Sequence, residues 1–448
     1  MKKALSLLMV AALCLALLSA CSTSTPSNSA SAPPASSPAS SPAPSPEASP
    51  SAPAPSAAAP SPSDSAPASS PAAPAPGGAT ESLKIGVIAN LTGWFASVDT
   101  NNVYAVNALA KIYNDQGGIK IGDKTYMIDI DTQDGQSDAT GIRNASQILV
   151  NDGCKFVVGP NDFFMEGALD IFEKAGVMNV MSMNNMDFNA INPDLKFSYC
   201  FNNGSAAQMG SAVQSLIKNY PNVKTVVYAT NDDGVNDQEI AVLKTACDKY
   251  GLTYVDKPVI YDPNTTDFSA IALQVVSSGA DAFIGNYTPD TAGGMLKEVR
   301  NSGSNMVFAC IMGINAGVLI PSAGAANATN AFTLGPDLTQ ENNTDMFYQI
   351  LSVVREQYGD DAATAFTPND GNSIYVILQL MQGAKSIDVA DVQAYWNTIS
   401  TIDTIWGTAK PGGLQIYGVN HLLACPDPVT MLQDGNVVFG GWFETEIP

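Results

Sequence analysis

A single histidine, His421, stands in a chain of 448 residues. That scarcity excludes a site built on two histidines and leaves histidine-based catalysis one residue to use. Basic residues are also few, 20 against 42 acidic ones, a formal charge of −22. Such a balance lacks the electrostatic footprint of a nucleic-acid binder. Charged residues make up only 14% of the chain while 45% are hydrophobic, which suits a large buried core and excludes a wholly disordered protein. The chain has no P-loop, no Gly-x-Ser-x-Gly, no Gly-x-Gly-x-x-Gly and no Cys-x-x-Cys, and no fixed repeat of the kind that builds a solenoid.

What is present begins with an address. Lys2 and Lys3 precede an apolar run from Ala4 to Ala20, the pattern of a secretory signal peptide over residues 1–20, too short and one-sided for a membrane span. It ends in Leu18-Ser19-Ala20-Cys21, which resembles the bacterial lipobox. The resemblance implies that Cys21 is lipidated and anchors the chain to the outer face of the cell membrane; an ordinary secretory signal or an uncleaved anchor is the alternative. Residues 21–80 then form a Pro/Ser/Ala-rich stretch, with 16 of the 29 prolines lying between Ser22 and Thr80. Aromatic-free, proline-rich chain cannot build a core and is expected to be a disordered linker, reaching at most ~180 Å as polyproline II.

From residue 81 onward, short apolar runs alternate with helical patterns, the signature of parallel sheets with crossover helices. Strand-like runs fall at Leu83–Leu91, Tyr126–Asp131, Lys155–Gly159, Val177–Met183 and Lys196–Phe201, and again at Val223–Ala229, Tyr254–Tyr261, Ala280–Asn286 and Met306–Met312. Helical spacing appears at Val103–Tyr113, Ala139–Val150, Met165–Lys174, Asp237–Tyr250, Phe268–Ser277 and Asp290–Asn301, then at Asn342–Tyr358, Ser373–Ala384 and Asp388–Ser400. Residues 81–448 exceed a comfortable single core and suit two α/β lobes.

Open parallel sheets bind ligands at the carboxyl ends of their strands. Those ends carry Trp94 and Phe95, Asn161, Asp162 and Phe163, Asn184 and Asn185, Asp232, Tyr287 and Met312. Aromatic walls with short amides and carboxylates suit a small organic ligand held by a few oriented hydrogen bonds. The competing reading for each Asn or Asp is a turn or N-cap residue, and for each aromatic it is core packing. Asp131, Asp134 and Asp138 cluster after one strand, but without a calcium-loop motif they read as turn residues and a helix N-terminal charge. No metal site and no cofactor is expected.

Lys84-Ile85-Gly86-Val87-Ile88, Leu91-Thr92-Gly93, Asn114-Asp115-Gln116-Gly117-Gly118-Ile119 and Leu149-Val150-Asn151-Asp152-Gly153 running into Phe156-Val157-Val158-Gly159 resemble type I extracytoplasmic solute-binding proteins of the leucine-isoleucine-valine-binding type. Asp267-Phe268, Ala280-Asp281-Ala282, Gly285-Asn286-Tyr287 and Leu296-Lys297-Glu298-Val299-Arg300 continue the match. The resemblance implies an α/β type I periplasmic-binding-protein fold: two parallel-sheet lobes joined by a three-crossover hinge, closing on a small molecule and delivering it to an ABC permease. The crossovers are expected near residues 202–206, 332–338 and 418–428. Lobe 1 is then 81–204 plus about 336–420, and lobe 2 is 205–335 plus about 421–448. No nucleic acid is implied, and a monomer is expected.

Carried over by resemblance, Tyr287 matches the family's second-lobe tyrosine, while the hydroxylated residues that hold an amino-acid carboxylate are largely replaced by Asn161-Asp162-Phe163 and Asn184-Asn185. The glutamate that pairs with the ligand's ammonium aligns near Ile311 or Met312, where no carboxylate stands. A desolvated ammonium without an acidic partner is strongly disfavoured, so either Asp162, Asp232 or Asp233 replaces it or the ligand is not an α-amino acid. A branched-chain amino acid or a related small carboxylate or amide is the expected ligand, with a ligand sensor of the same fold as the alternative to an importer component. Catalysis is not expected. Beyond Cys14 and Cys21, the remaining cysteines, Cys154, Cys200, Cys247, Cys310 and Cys425, mostly abut apolar residues and read as buried free thiols, with up to two disulfides as the alternative an extracytoplasmic location permits.

Overall fold

A computed structural model describes residues 81–447 apart from Met186, Gln340, Glu341 and Ala365. The signal peptide, the linker and Cys21 lie outside the described residues. The strands, in chain order, are β1 (Glu81–Ala89), β2 (Ile119–Ile121), β3 (Lys124–Asp134), β4 (Phe156–Val158), β5 (Met178–Met181), β6 (Ser198–Cys200), β7 (Thr225–Asn231), β8 (Thr253–Tyr254), β9 (Val259–Tyr261), β10 (Ala282–Gly285), β11 (Val307–Cys310), β12 (Ala331–Thr333), β13 (Ile402–Thr404), β14 (Gly407–Gly412), β15 (Leu422–Ala424), β16 (Asp427–Gln433) and β17 (Asn436–Phe443). They build two sheets. The first has the order β13-β14-β15-β6-β5-β4-β1-β3-β2, and the second β17-β16-β12-β11-β10-β7-β8, with β9 also paired to β7.

Strands β1, β3, β4, β5, β6 and β15 run parallel, as do β7 to β12. The apolar runs of β1, β4, β5, β7, β10 and β11 lack alternation because helices cover both faces, whereas β3, next to the edge, alternates at Tyr126–Ile130. In the first sheet, helices Ala96–Asp115, Asp345–Tyr358 and Asn369–Ala384 bury Leu109, Ile350 and Ile377 against one face, and helices Ala139–Asn151 and Leu169–Ala175 bury Leu149 and Phe172 against the other. In the second sheet, Met295 and Val299 pack on one face and Val213, Leu216 and Leu243 on the opposite one. Each sheet is therefore the middle layer of its own three-layer body.

The sheets are mixed where the sequence pattern suggested only parallel pairing. β2 folds back on β3 through the tight Gly122-Asp123 turn, with Gly122 at φ 60°, and β13, β14, β16 and β17 form antiparallel margins. Of these, β13 is a three-residue edge strand whose periodicity is weak, whereas β17 is an eight-residue edge strand of apolar pattern. The expected strand Tyr254–Tyr261 divides into β8 and β9 because Pro258 has no N–H to give to a ladder and the chain turns at Val255–Lys257. The helix expected from Met165 begins instead as a 3-10 turn at Asp162–Gly167, capped by the Asn161 side chain. Asp138 caps helix Ala139–Asn151, accepting from the amides of Thr140 at 2.8 Å and Gly141 at 2.9 Å. Asp134 accepts from the Leu91, Thr92 and Gln136 amides, so both acids serve the loop framework.

The chain changes sheet three times: after β6, after β12 and in the two residues between β15 and β16. Because β15 still pairs with β6, the last change comes between Ala424 and Asp427, later than the expected boundary near 421. The first and last crossings are tied by Asn203, whose amide donates to the Cys425 carbonyl and the Asp427 carboxylate, each at 2.6 Å, and accepts from the Cys425 amide at 2.9 Å. Beside it Asn202 donates to the Ser182 and Asn369 carbonyls and to Ser373 Oγ, all at 3.0 Å. All five described cysteines are free and buried.

Gly204 follows this pair at φ −112°, a conformation open to any residue. What requires glycine there is space, since an added Cβ would sit 1.5 Å from the Asn184 carbonyl oxygen. Gly204→Ala is expected to lower stability by ~3 kcal/mol or more, through backbone displacement at the first crossing. Gly210→Ala, six residues on in the same helix and with nothing within 4 Å of its Cβ, is expected to be neutral or stabilising by up to ~1 kcal/mol. Comparing the two by chemical denaturation checks the claim; equal effects would contradict it.

Candidate functional site

The loops after β1 and β4 bring four aromatic rings together. Trp94 lies 5.1 Å from Phe95 and 5.7 Å from Phe164, and Phe95 lies 6.5 Å from Phe163, centroid to centroid. Phe95 and Phe164 are buried under helix Ala139–Asn151, whereas Trp94 is 67% and Phe163 47% exposed. Two buried rings thus carry two exposed ones as a rigid apolar shelf, offset and edge-on as aromatic quadrupoles prefer. The loop geometry is fixed by Ser137, whose Oγ accepts from the Phe95 amide at 3.2 Å and donates to the Thr92 carbonyl at 2.8 Å. Of the adjacent phenylalanines, Phe164 is core and Phe163 is not.

Behind the shelf, Asp162 and Asn185 belong to a buried polar chain that passes between the two sheets' loops. Asp162 accepts from the Asn185 backbone amide and, at 3.1 Å, from its side-chain amide. Ser205 Oγ lies 3.4 Å from Asn185 Oδ1 and gives its one hydrogen to Glu239, and Tyr228 donates to Glu239 at 2.5 Å. Asn236 extends the chain to the Tyr228 hydroxyl at 3.0 Å. Burial lifts Asp162 to about 7, with Asp187 nearby adding to the rise, and burial lifts Glu239 to about 7 with help from Asp233. At the crossings, burial likewise lifts Asp427 to about 7. Removing a carboxylate from water disfavours its charged form, and these partners offset only part of that cost.

A small cavity of about 30 Å³ lies at the crossings, lined among others by Met183, Asn202, Asn203, Asn369, Trp406 and Asp427, room for roughly one water. Asn161 caps the 3-10 turn, and Asn184 is held between the Asp187 carbonyl at 3.1 Å and the Tyr417 hydroxyl at 3.0 Å. Asp232 is an exposed turn residue accepting from the Gly234 amide at 3.2 Å, and Met312 packs half-buried beside the second core.

Tyr287 is placed differently from a ligand wall. It is 1% exposed, its ring meets Phe308 edge-on at 5.1 Å, and its hydroxyl donates to the Ala229 carbonyl. The loop after β10 turns it into the second core, where it joins the cluster of Phe283, Met295, Phe308 and Leu319. Sequence reasoning missed Glu239 altogether. Its register was the available signal, since Leu243, Ala246 and Cys247 follow it at four, seven and eight residues on the buried stripe of helix Asn236–Tyr250. Among the described residues no group of three or more His, Cys, Asp or Glu is placed to hold a metal ion, and no helix is long and apolar enough to cross a membrane.

Two outcomes follow. Asp162, Glu239 and Asp427 titrate near 7 when folded but near 4 when unfolded, so the folded state holds more protons between those values and stability falls as pH rises through that window. Burial raises Asp99, Asp370 and Asp233 in the same direction, and His421, which burial pushes downward, opposes them as a single group. The melting temperature is expected to be higher at pH 5 than at pH 8, and Glu239→Gln should flatten the difference; a higher value at pH 8 would contradict the assignment. Tyr287→Ala is expected to cost ~3 to 5 kcal/mol by emptying core volume, and Tyr287→Phe only ~1 kcal/mol, both measured by denaturant unfolding.

Comparison with known proteins places this geometry. The model of the periplasmic binding protein family matches residues 82–416. A Leu/Ile/Val-binding protein homologue of Brucella melitensis biotype 1 is 28% identical over 319 residues, 69% of this chain and 81% of that one. The isoleucine complex of the branched-chain amino acid transporter substrate-binding protein from Streptococcus pneumoniae superposes with a TM-score of 0.65 at 17% identity, covering 82% of this chain and all of the other. A benzoate-bound solute-binding protein of an ABC transporter from R. palustris gives a TM-score of 0.62 at 13% identity over 82% of this chain and 98% of its own. The two likenesses to solved structures speak to the fold.

Proposed function

The chain belongs to the periplasmic binding protein family, whose members are extracytoplasmic substrate-binding proteins of ABC transporters and not enzymes, and on that premise we propose that it is the lipid-anchored capture subunit of an importer for a small, apolar-bodied carboxylate. Residues 81–204 with about 336–424 form one lobe and 205–335 with about 427–447 the other. They close on the ligand and present it to the permease, while Cys21 and the proline-rich linker hold them near the membrane. The observation that carries this reading is the pair of separate sheets between which the chain passes three times, the first and third passages tied by Asn203. Two sheet-centred bodies joined by three chain passages are the architecture on which hinge closure operates.

Ligand chemistry is argued from what the loops offer. Trp94 and Phe163 present flat apolar surface. Near the position where an ammonium-pairing glutamate is expected, Ile311 is fully buried and Met312 half-buried. Asp162 is engaged by Asn185 and the Phe163 amide. These features favour a carboxylate whose body is aliphatic or aromatic, branched-chain amino acids included, with the head group held by backbone amides and the loop asparagines. The Streptococcus pneumoniae protein carries isoleucine and the R. palustris protein benzoate, so both chemistries occur among proteins of similar fold.

A melting-temperature screen of the full chain with leucine, isoleucine, valine, benzoate and short fatty acids tests the reading. A ligand at a hundred times its Kd adds about 2.7 kcal/mol of stability, a shift of several degrees. Trp94→Ala should leave the unliganded melting temperature within about a degree, since the ring is exposed, and weaken the active ligand ~10-fold. Absence of a shift with every carboxylate would refute capture of this class. Binding with unchanged uptake in cells lacking the chain would favour the sensing role.

A further inference from the structure

Helices Ala96–Asp115 and Asn369–Ala384 pack side by side on the first sheet. Asp99, Asn102 and Ala105 follow one another at three-residue spacing on one face of the first helix. Gly371 of the second sits so near Ala105 that a Cβ placed on it would lie 3.1 Å from the alanine methyl. Asp370, its neighbour, is in the first turn of that helix, and Asp99 is close enough to repel its charge. All three polar residues are almost wholly buried, Asp370 at 1%, Asp99 at 2% and Asn102 at 2% exposed.

Their oxygens are badly under-used. Asp99 Oδ2 accepts from the Asn90 backbone amide at 2.8 Å and its side-chain amide at 2.9 Å, which fixes the carboxylate's orientation. Asp99 Oδ1, Asn102 Oδ1 and both oxygens of Asp370 meet no donor among the described residues. The Asn102 side-chain amide approaches Asp99 and the Ser182 hydroxyl approaches Asp370, neither closing an aligned hydrogen bond, and among the described residues no lysine or arginine pairs with either acid. Four buried acceptors served by two misaligned donors and no basic side chain are far from a satisfied hydrogen-bonded core.

We infer that Asp99, Asn102 and Asp370 form a buried site for a hard, oxygen-liganded cation. The donor set is carboxylate and amide oxygen only, the chemistry of calcium, magnesium, sodium or potassium and not of thiophilic metals. A cation there answers the mutual repulsion of two buried acids and occupies the unmatched lone pairs at once. Burial pushes Asp370 to about 7 and Asp99 to about 6, the direction taken by carboxyls that have no counter-charge. The ion would clamp helix Ala96–Asp115 to helix Asn369–Ala384 directly behind the loop Ser182–Met183 and the Asn202 crossing, coupling ion occupancy to the stiffness of the first lobe. The inference stands apart from the proposed ligand.

The test uses the full chain, treated with chelator and exchanged into tetramethylammonium buffer. Calcium, magnesium, sodium or potassium chloride is then added singly, with matched ionic strength as the control. At least one ion is expected to raise the melting temperature by several degrees in a saturable way, with about one ion retained per chain in equilibrium dialysis. Asp370→Asn and Asn102→Ala should each lose that shift at least ~10-fold in ion concentration while still unfolding cooperatively. No ion-specific shift and no retained ion in the unmodified chain would overturn the inference, leaving protonated carboxyls or water as the occupants. An equal shift in the unmodified chain and in Asp370→Asn would overturn it too. Dialysis of the unmodified chain decides the matter even if a variant does not fold.

Discussion

The rest of the molecule depends on one buried amide. Asn203 uses both its donor hydrogens and its acceptor oxygen within the crossings, on the Cys425 carbonyl, the Asp427 carboxylate and the Cys425 amide. Residue 203 lies on the first crossing, and 425 and 427 bracket the third. A single side chain therefore holds together two strands of chain more than two hundred residues apart. The neighbouring Asn202 and Asn372 repeat the device inside the first lobe, Asn372 donating to the Phe201 carbonyl at 2.8 Å and to Asn202 Oδ1 at 3.0 Å. Buried polar networks of this kind are costly when half satisfied and rigid when complete, so the crossings are stiff in position, and the bodies on either side also touch through Ser205 and Asn185, the Trp442 indole on the Asn342 carbonyl, and Ile447 against Gly413.

Rigidity at the crossings also explains the close approaches around them. Gly204 lies against the Asn184 carbonyl, and Gly335, on the second passage, would place a Cβ 1.7 Å from the Ile314 carbonyl oxygen. Two glycines at two crossings thus let backbone touch backbone without an intervening side chain. The packing brings the loop after β5 against the first passage and the loop after β11 against the second. Any rotation between the bodies must therefore be felt by the loops at the strand ends, because there is no compressible layer between them.

Much of the architecture was legible in the sequence because it follows from burial on two faces. β1, β4, β5, β7, β10 and β11 are apolar runs bounded by turn residues, and parallel strands covered by helices have no alternation to misread. The β13–β14 margin was not legible: β13 is a short edge strand and both strands have mixed exposure, so neither shows a clear period. Among site residues, Trp94, Phe95 and Phe163 do come together, since strand-end position alone brings the loops after β1 and β4 side by side when β1 pairs β4. Tyr287 could not be assigned in this way. A tyrosine after a strand end can face outward or fold back, and here it folds back, with its hydroxyl on the Ala229 carbonyl and its ring against Phe308. Glu239 was hidden for the converse reason, a charged residue near a helix start reading as solvated unless its register with Leu243 and Cys247 is weighed.

The charge pattern of the interior follows from the same geometry. Asp162, Glu239 and Asp427 all lie at or beside passages between the bodies, buried to the point that their neutral forms are favoured, although each accepts hydrogen bonds. A core that merely needed hydrogen bonds could use asparagine or serine there. Carboxyls differ in being able to donate when neutral and to accept twice when charged, so the Ser205–Glu239–Tyr228 chain can reverse its sense of donation without moving a heavy atom. Ser205 opens the helix that carries the chain into the second body, and Asn185, bonded to Asp162 of the first, lies beside Ser205.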